Sequence, residues 1–271
     1  DLHSFPTRRS SDLHIAQAGD AIQYAPFVDG VNLWDMLFHY QANADFKKAQ
    51  WNQVKLVISG KQMRVYINSK LSLVVPRLEG NTTGGTLAFD GEAVISNLTV
   101  KPGQVEGLDS IAGPDLTDND PRYLRNWQVS TPFETQSIDF NFNWTPTDST
   151  KWEPISAERM GLINLTRKFG RSQQRRFVWL KTTINVAQAQ TKKMQLGFSD
   201  EVVVLVNGRA VYTDKNWYTH PIRKEPAGRC SIENSSFPVQ LQAGDNTVLI
   251  GVANDFYGWG VIARLDDLNA F

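Results

Sequence analysis

Across residues 51–100 the hydrophobic positions recur every second residue. Val54, Leu56 and Ile58 alternate with polar neighbours, Gly60 and Lys61 interrupt, and Met63, Val65 and Ile67 resume the alternation. A period of two is that of a strand with one covered face, so the pattern predicts a hairpin. Beyond Pro76 and the stretch GNTTGG, the pieces LAF and AVISNLTV read as further short strands. Residues 14–50 are less regular, and VNLWDMLFHY fits either a strand pair or a single helical turn.

The pattern breaks over residues 104–121, which are rich in Pro, Gly and Asp and poor in apolar side chains. That composition predicts a linker. Asp115, Asp118 and Asp120 lie within it, without the spacing of a calcium-wrapping loop. From residue 122 strand-like segments return. FVWLKTTINV alternates, and EVVVLV is joined to RAVYTD by Asn207-Gly208, a pair suited to a type I′ turn. A second hairpin is expected in FPVQLQAGDNTVLIGVAND, turning at Gly244-Asp245-Asn246, and GWGVIARL closes the chain. Short strands separated by turn residues, with no helix-period segment between them, predict an all-β chain of two β-sandwich domains.

Composition narrows the function classes. The 271 residues carry 28 Lys and Arg against 28 Asp and Glu, which disfavours nucleic acid as a partner. No apolar run approaches the roughly 20 residues of a membrane-spanning helix, so membrane insertion is not expected. Cys230 is the single cysteine, which excludes an internal disulfide and a thiolate zinc site. Arg167, Lys168, Arg171, Arg175 and Arg176 form a local basic run, best read as a solvated loop or an interdomain contact.

Residues 1–13, DLHSFPTRRSSDL, are polar and aperiodic, and they resemble the translation of a sequencing adapter. They are therefore set aside as a non-native scar, with the first sandwich expected to be N-terminally truncated. The organisation that follows is a partial sandwich over 14–103, a linker over 104–121 and a second sandwich over 122–271.

WNQVKLVISGKQMRVYIN, PRL and GGTLAFDGEAVISNLTV resemble the C-terminal strands of concanavalin A-like sandwiches of the laminin G and 3-keto-disaccharide hydrolase type. LGFSDEVVVLVNGRAVY, LQAGDNTVLIGVAND and GWGVIARL are similar to a galactose-binding-like jelly roll, a module attached to many glycosidases. These resemblances imply a carbohydrate-associated accessory protein of bacterial type, secreted or periplasmic, with glycan as its partner. They also admit a structural calcium ion, although no ligand set stands out. The laminarinase-like signature E-x-D-x-x-E is absent, and no spacing marks a catalytic pair of carboxylates. Two alternatives stay open: the non-catalytic remainder of a glycoside hydrolase, or a structural or protein-binding module.

Sugar recognition needs flat aromatic faces beside planar hydrogen-bonding groups. DKNWYTHP supplies Trp217, Tyr218 and His220, and NDFYGWG supplies Asn254, Asp255, Tyr257 and Trp259. If both segments meet at one end of the second sandwich, they form a shallow platform. Trp259, between two glycines, equally suits a buried closing position. Trp51 and Trp179 fall at strand positions and are expected in the core. Trp34, Asp35 and Tyr40 are weaker candidates for a cleft in the first sandwich, and Trp144 and Trp152 for packing beneath a Pro/Thr-rich turn.

Overall fold

The computed structural model describes residues 11–17, 21–28, 30–80, 87–89, 93–136, 139–170, 172, 174–218, 221–255 and 257–266. Its described residues are nearly all in antiparallel strands, turns and irregular segments, as an all-β chain requires. Two units are present. One comprises Asp1–Gly30 and His39–Pro114, the other Val31–Phe38 and Asp115–Phe271. The second unit thus includes a short strap, Val31–Phe38, that lies far upstream of the rest of it.

In the first unit β1 (Ser11–Gln17) pairs with β2 (Ala21–Val28), whereas β3 (Val31–Asn32) opens the strap of the second unit. Ser11, Asp12 and Leu13, set aside as part of a scar, pair with Pro26, Ala25 and Tyr24. Ladder bonds use backbone groups, so such pairing places little demand on side-chain identity. β4 (Gln41–Asn43) also pairs with β2.

The expected hairpin forms between β5 (Val54–Ile58) and β6 (Met63–Ile67), with Leu56 opposite Val65. A second hairpin joins β6 to β7 (Lys70–Val75) through Asn68 (φ 50) and Ser69 (φ 66). Positive φ at both central residues is the type I′ arrangement, here built without glycine.

Burial in β5 does not follow the predicted alternation. Met63, Val65 and Ile67 on β6 are buried, but Val54, Leu56 and Ile58 are 44%, 37% and 49% exposed, while Val57 between them is buried. Trp51 precedes β5 and is 69% exposed, so the expectation of a core position fails. The pieces LAF and AVISNLTV form no strand over their described residues, 87–89 and 93–100. A strand needs an edge to pair with and a layer to cover it, and among the described residues neither reaches these pieces.

The predicted linker is tied down at both ends. Gln62 Nε2 donates to the Ile111 carbonyl and Gly113 N–H to Pro76, holding its first part on the first unit. From Asp115 onward the bonds run to the second unit, where Met160 N–H donates to Asp115 Oδ2.

The second unit is a sandwich of two sheets. The larger contains β8 (Asn126–Ser130), β9 (Phe133–Glu134), β10 (Trp152–Ser156), β12 (Arg176–Val186), β14 (Glu201–Val206), β15 (Arg209–Lys215) and β17 (Gly244–Ala253). The smaller contains β11 (Leu162–Asn164), β13 (Gln190–Ser199), β16 (Ser235–Leu241) and β18 (Gly260–Leu265), ordered β11-β18-β13-β16. A single turn of helix, α1 (Leu165–Phe169), follows β11 with Asn164 as its N-cap. Val178, Leu180, Val204 and Ile250 from one sheet meet Leu196, Phe198, Val239 and Val261 from the other in a shared core.

β12 and β14 carry unbroken apolar runs because their outer face is covered as well. There Phe177, Trp179, Val203 and Leu205 pack beneath Phe133, Phe140, Trp144 and Trp152. Trp179 is buried, as expected, and its Nε1 donates to the Trp144 carbonyl at 2.5 Å.

The Asn207-Gly208 turn joins β14 to β15 with φ values of 51 and 77, in the predicted type I′ form. Gly244-Asp245-Asn246, by contrast, is not a hairpin. β16 pairs with β13, while β17 pairs with β12 and β14, so the chain crosses between sheets here. The Asn246 side chain holds this corner. Its Oδ1 accepts from Gln242 N–H (2.8 Å) and Asn207 Nδ2 (2.8 Å), and its Nδ2 donates to the carbonyls of Gln242, Gly244 and Ile184.

Candidate functional site

The start of β12, the start of β14 and the end of β17 lie together, because Phe177 and Glu201 both pair with Ala253. The start of β18 reaches the same end through Gly260, opposite Ser199 of β13. Loops from both sheets therefore converge there, joined by the strap.

The strap docks on the Gly-Trp-Gly segment. Cys230 N–H donates to the Asp35 carbonyl at 2.8 Å, and Gly258 N–H donates to Asp35 Oδ2 at 3.1 Å. A Cβ on Gly258 would fall 2.8 Å from Met36 Cγ, and one on Gly260 2.7 Å from Met36 Cε. Both glycines thus make room for the strap. Trp259, between them, is only 1% exposed. Its N–H donates to Thr166 Oγ1 at 2.8 Å and the Arg176 guanidinium lies 5.3 Å from its ring. A ring enclosed in this way has no face for a sugar, which removes Trp259 from the platform and leaves it the closing role.

Trp34 rides on the strap, outside the first unit where a cleft was expected. Its ring meets Tyr218 edge-on at 4.7 Å and Tyr257 at 6.0 Å, with interplanar angles of 75° and 80°. The Arg229 guanidinium lies 4.9 Å from the same ring. Gly228, at φ +73, allows the close approach of this loop, since a Cβ there would come within 2.7 Å of Tyr218 Cα. Trp34 and Tyr218 are half-buried, and Tyr257 is 50% exposed. Three aromatic rings from three separate segments meet at this end.

The remaining predicted residues divide by role. Trp217 is half-buried, with Nε1 donating to Glu201 Oε1 at 2.8 Å and Lys215 Nζ 5.0 Å from its ring. Glu201 also binds Arg175 at 2.6 Å, and Arg175 lies 4.0 Å from Asp255 Oδ1. Asp255, two residues before Tyr257 in the same loop, is exposed. Asn254 is buried, its Oδ1 accepting from Arg176 N–H at 2.7 Å, so it holds strand ends together and does not face a ligand. His220 lies outside the described residues. Tyr40 belongs to the first unit, where its hydroxyl donates to the Arg77 carbonyl.

The basic run is largely consumed by structure. Arg167 pairs with Glu158, Lys168 with Glu153 and Arg175 with Glu201, while Arg176 donates to the Phe169 and Gly170 carbonyls. Arg171 lies outside the described residues.

Buried ionisable groups surround the strap. Burial, and secondarily the Asp200 carboxylate, push the Asp35 carboxyl well above the usual carboxylate range. Burial likewise raises the Cys230 thiol and lowers Arg229. Asp200 accepts from Ser199 Oγ and from Asp255 N–H. Among the described residues no group of three or more His, Cys, Asp or Glu side chains is placed to hold a metal ion, so no residues are assigned to calcium.

Sequence reasoning missed Trp34 and Arg229 as partners of this end. No local signal marks the strap's destination, since the pairing spans most of the chain.

No protein-family model matches the chain, and no curated protein matches it in sequence. Among solved structures it is similar to a β-glucosidase from Kluyveromyces marxianus (11% identity, TM-score 0.35), the match covering 51% of this chain and 16% of that one. A family 35 carbohydrate binding module from Clostridium thermocellum matches at 12% identity and a TM-score of 0.26, over 39% of this chain and 88% of the module. A GH2 β-galacturonidase from Eisenbergiella tayi matches at 14% identity and a TM-score of 0.31, over 52% of this chain and 24% of the enzyme.

Proposed function

We propose that the second unit is a carbohydrate-binding β-sandwich that takes glycan at the loop end built by Trp34, Tyr218 and Tyr257. The convergence of these three rings carries the reading, with the exposed Asp255 two residues from Tyr257 in the same loop. Aromatic surface supplies affinity for the C–H face of a pyranose, and a carboxylate or phenol at its rim orients hydroxyl groups. Sites of this kind work by surface contact, and no reacting group is needed for binding alone.

The test is a titration of the whole chain with a panel of plant and bacterial glycans, followed calorimetrically. One class of glycan should bind, and Trp34→Ala should weaken that binding by at least about tenfold, in line with loss of a central aromatic anchor. Trp51→Ala, which alters an exposed tryptophan of the first unit, should leave affinity unchanged. A panel without any ligand, or equal affinities for Trp34→Ala and the parent, would refute the assignment.

A further inference from the structure

We propose that the strap Val31–Phe38 is a pH-set latch, held on the second unit while Asp35 carries a proton and loosened when that proton leaves. Asp35 is 3% exposed, its Oδ2 accepts one backbone N–H from Gly258, and its Oδ1 has no hydrogen-bond partner. The backbone N–H groups of Gly258, Asp35 and Met36 favour its charge, but burial and the Asp200 carboxylate outweigh them, and Oδ1 is left without a hydrogen bond in a desolvated setting.

The groups around it come from each neighbouring segment. At the β13–β14 junction stands Asp200, 2% exposed, whose Oδ1 is bound by Ser199 Oγ. From the loop after β17 comes Asp255, whose N–H donates to Asp200. The loop before β16 contributes Arg229, stacked on Trp34, and Cys230, whose thiol is raised by burial and by both carboxylates. From α1 the neutral Thr166 hydroxyl approaches Gly258. Arg229 is a cation on this side, with Arg223 close enough to lower its pKa and Asp35 acting to raise it, yet burial and Asp200 still hold the Asp35 carboxyl well above its usual range.

The direction of the pH effect follows by linkage. Between the usual carboxylate range and the raised value, the docked strap keeps a proton that the released strap gives up. Docking therefore weakens as pH rises through that window and is weakest above it. Because Trp34 lies on the strap, release would also dismantle the aromatic site, a consequence that rests on the proposed function. The latch itself does not.

Hydrogen exchange of the full chain without glycan, with protection corrected for intrinsic rates, tests the latch separately from sugar binding. From about pH 5 to about pH 9 the protection of residues 31–38 should fall by at least about tenfold, while β12 stays protected. Asp35→Asn, neutral throughout, should remove that fall. Asp200→Asn, which deletes the like charge, should move it to lower pH and make it smaller. Protection independent of pH in the parent, or an unchanged fall in Asp35→Asn, would overturn the latch.

Discussion

Asn246→Ala should destabilise the second unit by about 3–5 kcal/mol, since each buried polar group left without its partner costs roughly 1–3 kcal/mol. Asn246 is fully buried (0% exposed), and its side chain bonds the backbone of Gln242, Gly244 and Ile184 at the corner where β16 passes to β17 in the opposite sheet. Alanine leaves these groups facing one another without a donor or acceptor between them. It also removes the acceptor of Asn207 Nδ2 in the adjoining turn. Denaturant unfolding followed by circular dichroism should show the transition of the second unit moving to lower urea. A change below about 1 kcal/mol would mean that the corner reorganises freely.

Gly260→Ala should cost about 3 kcal/mol, the upper end of the usual penalty for overpacking. A Cβ at this position would overlap the Ile163 carbonyl oxygen and approach Met36 Cε to 2.7 Å. β18 cannot shift to relieve this, because Gly260 is paired on one side with Asn164 and on the other with Ser199. Met36 can move only by leaving its seat, so the strap should lose exchange protection along with the drop in stability. Thermal unfolding and hydrogen exchange on the same variant read both effects. Retained stability with full protection of residues 31–38 would contradict the packing described for the strap.

Much of the fold could be read from local pattern, and the exceptions have physical causes. The type I′ turn at Asn207-Gly208 was legible because positive φ at two successive positions leaves few residue choices. The crossing at Gly244-Asp245-Asn246 was misread as a hairpin, since turn residues specify a reversal but not which sheet receives the next strand. Alternation in Val54, Leu56 and Ile58 identified a strand but not its buried position: those three are exposed and Val57 between them is buried, since burial depends on a covering layer that a local period cannot report.

The candidate site was partly legible for the same kind of reason. Tyr218 and Tyr257 do meet through a shared neighbour, but that neighbour, Trp34, comes from the opposite end of the chain. The position of Trp259 between two glycines suits either a platform or a buried closing role, and its ring lies in the core between the sheets. The glycines themselves admit Asp35 and Met36 against the backbone. Asn254 was a plausible amide for a sugar hydroxyl until its acceptor proved to be spent on Arg176 N–H.

The most direct measurement of the central claim is a nuclear magnetic resonance titration of the isotope-labelled chain with the glycan that binds best. The account predicts that shifts concentrate on Trp34, Tyr218, Asp255 and Tyr257 and their neighbours at the loop end. Shifts confined to another surface, such as the outer face around Trp152, would contradict it.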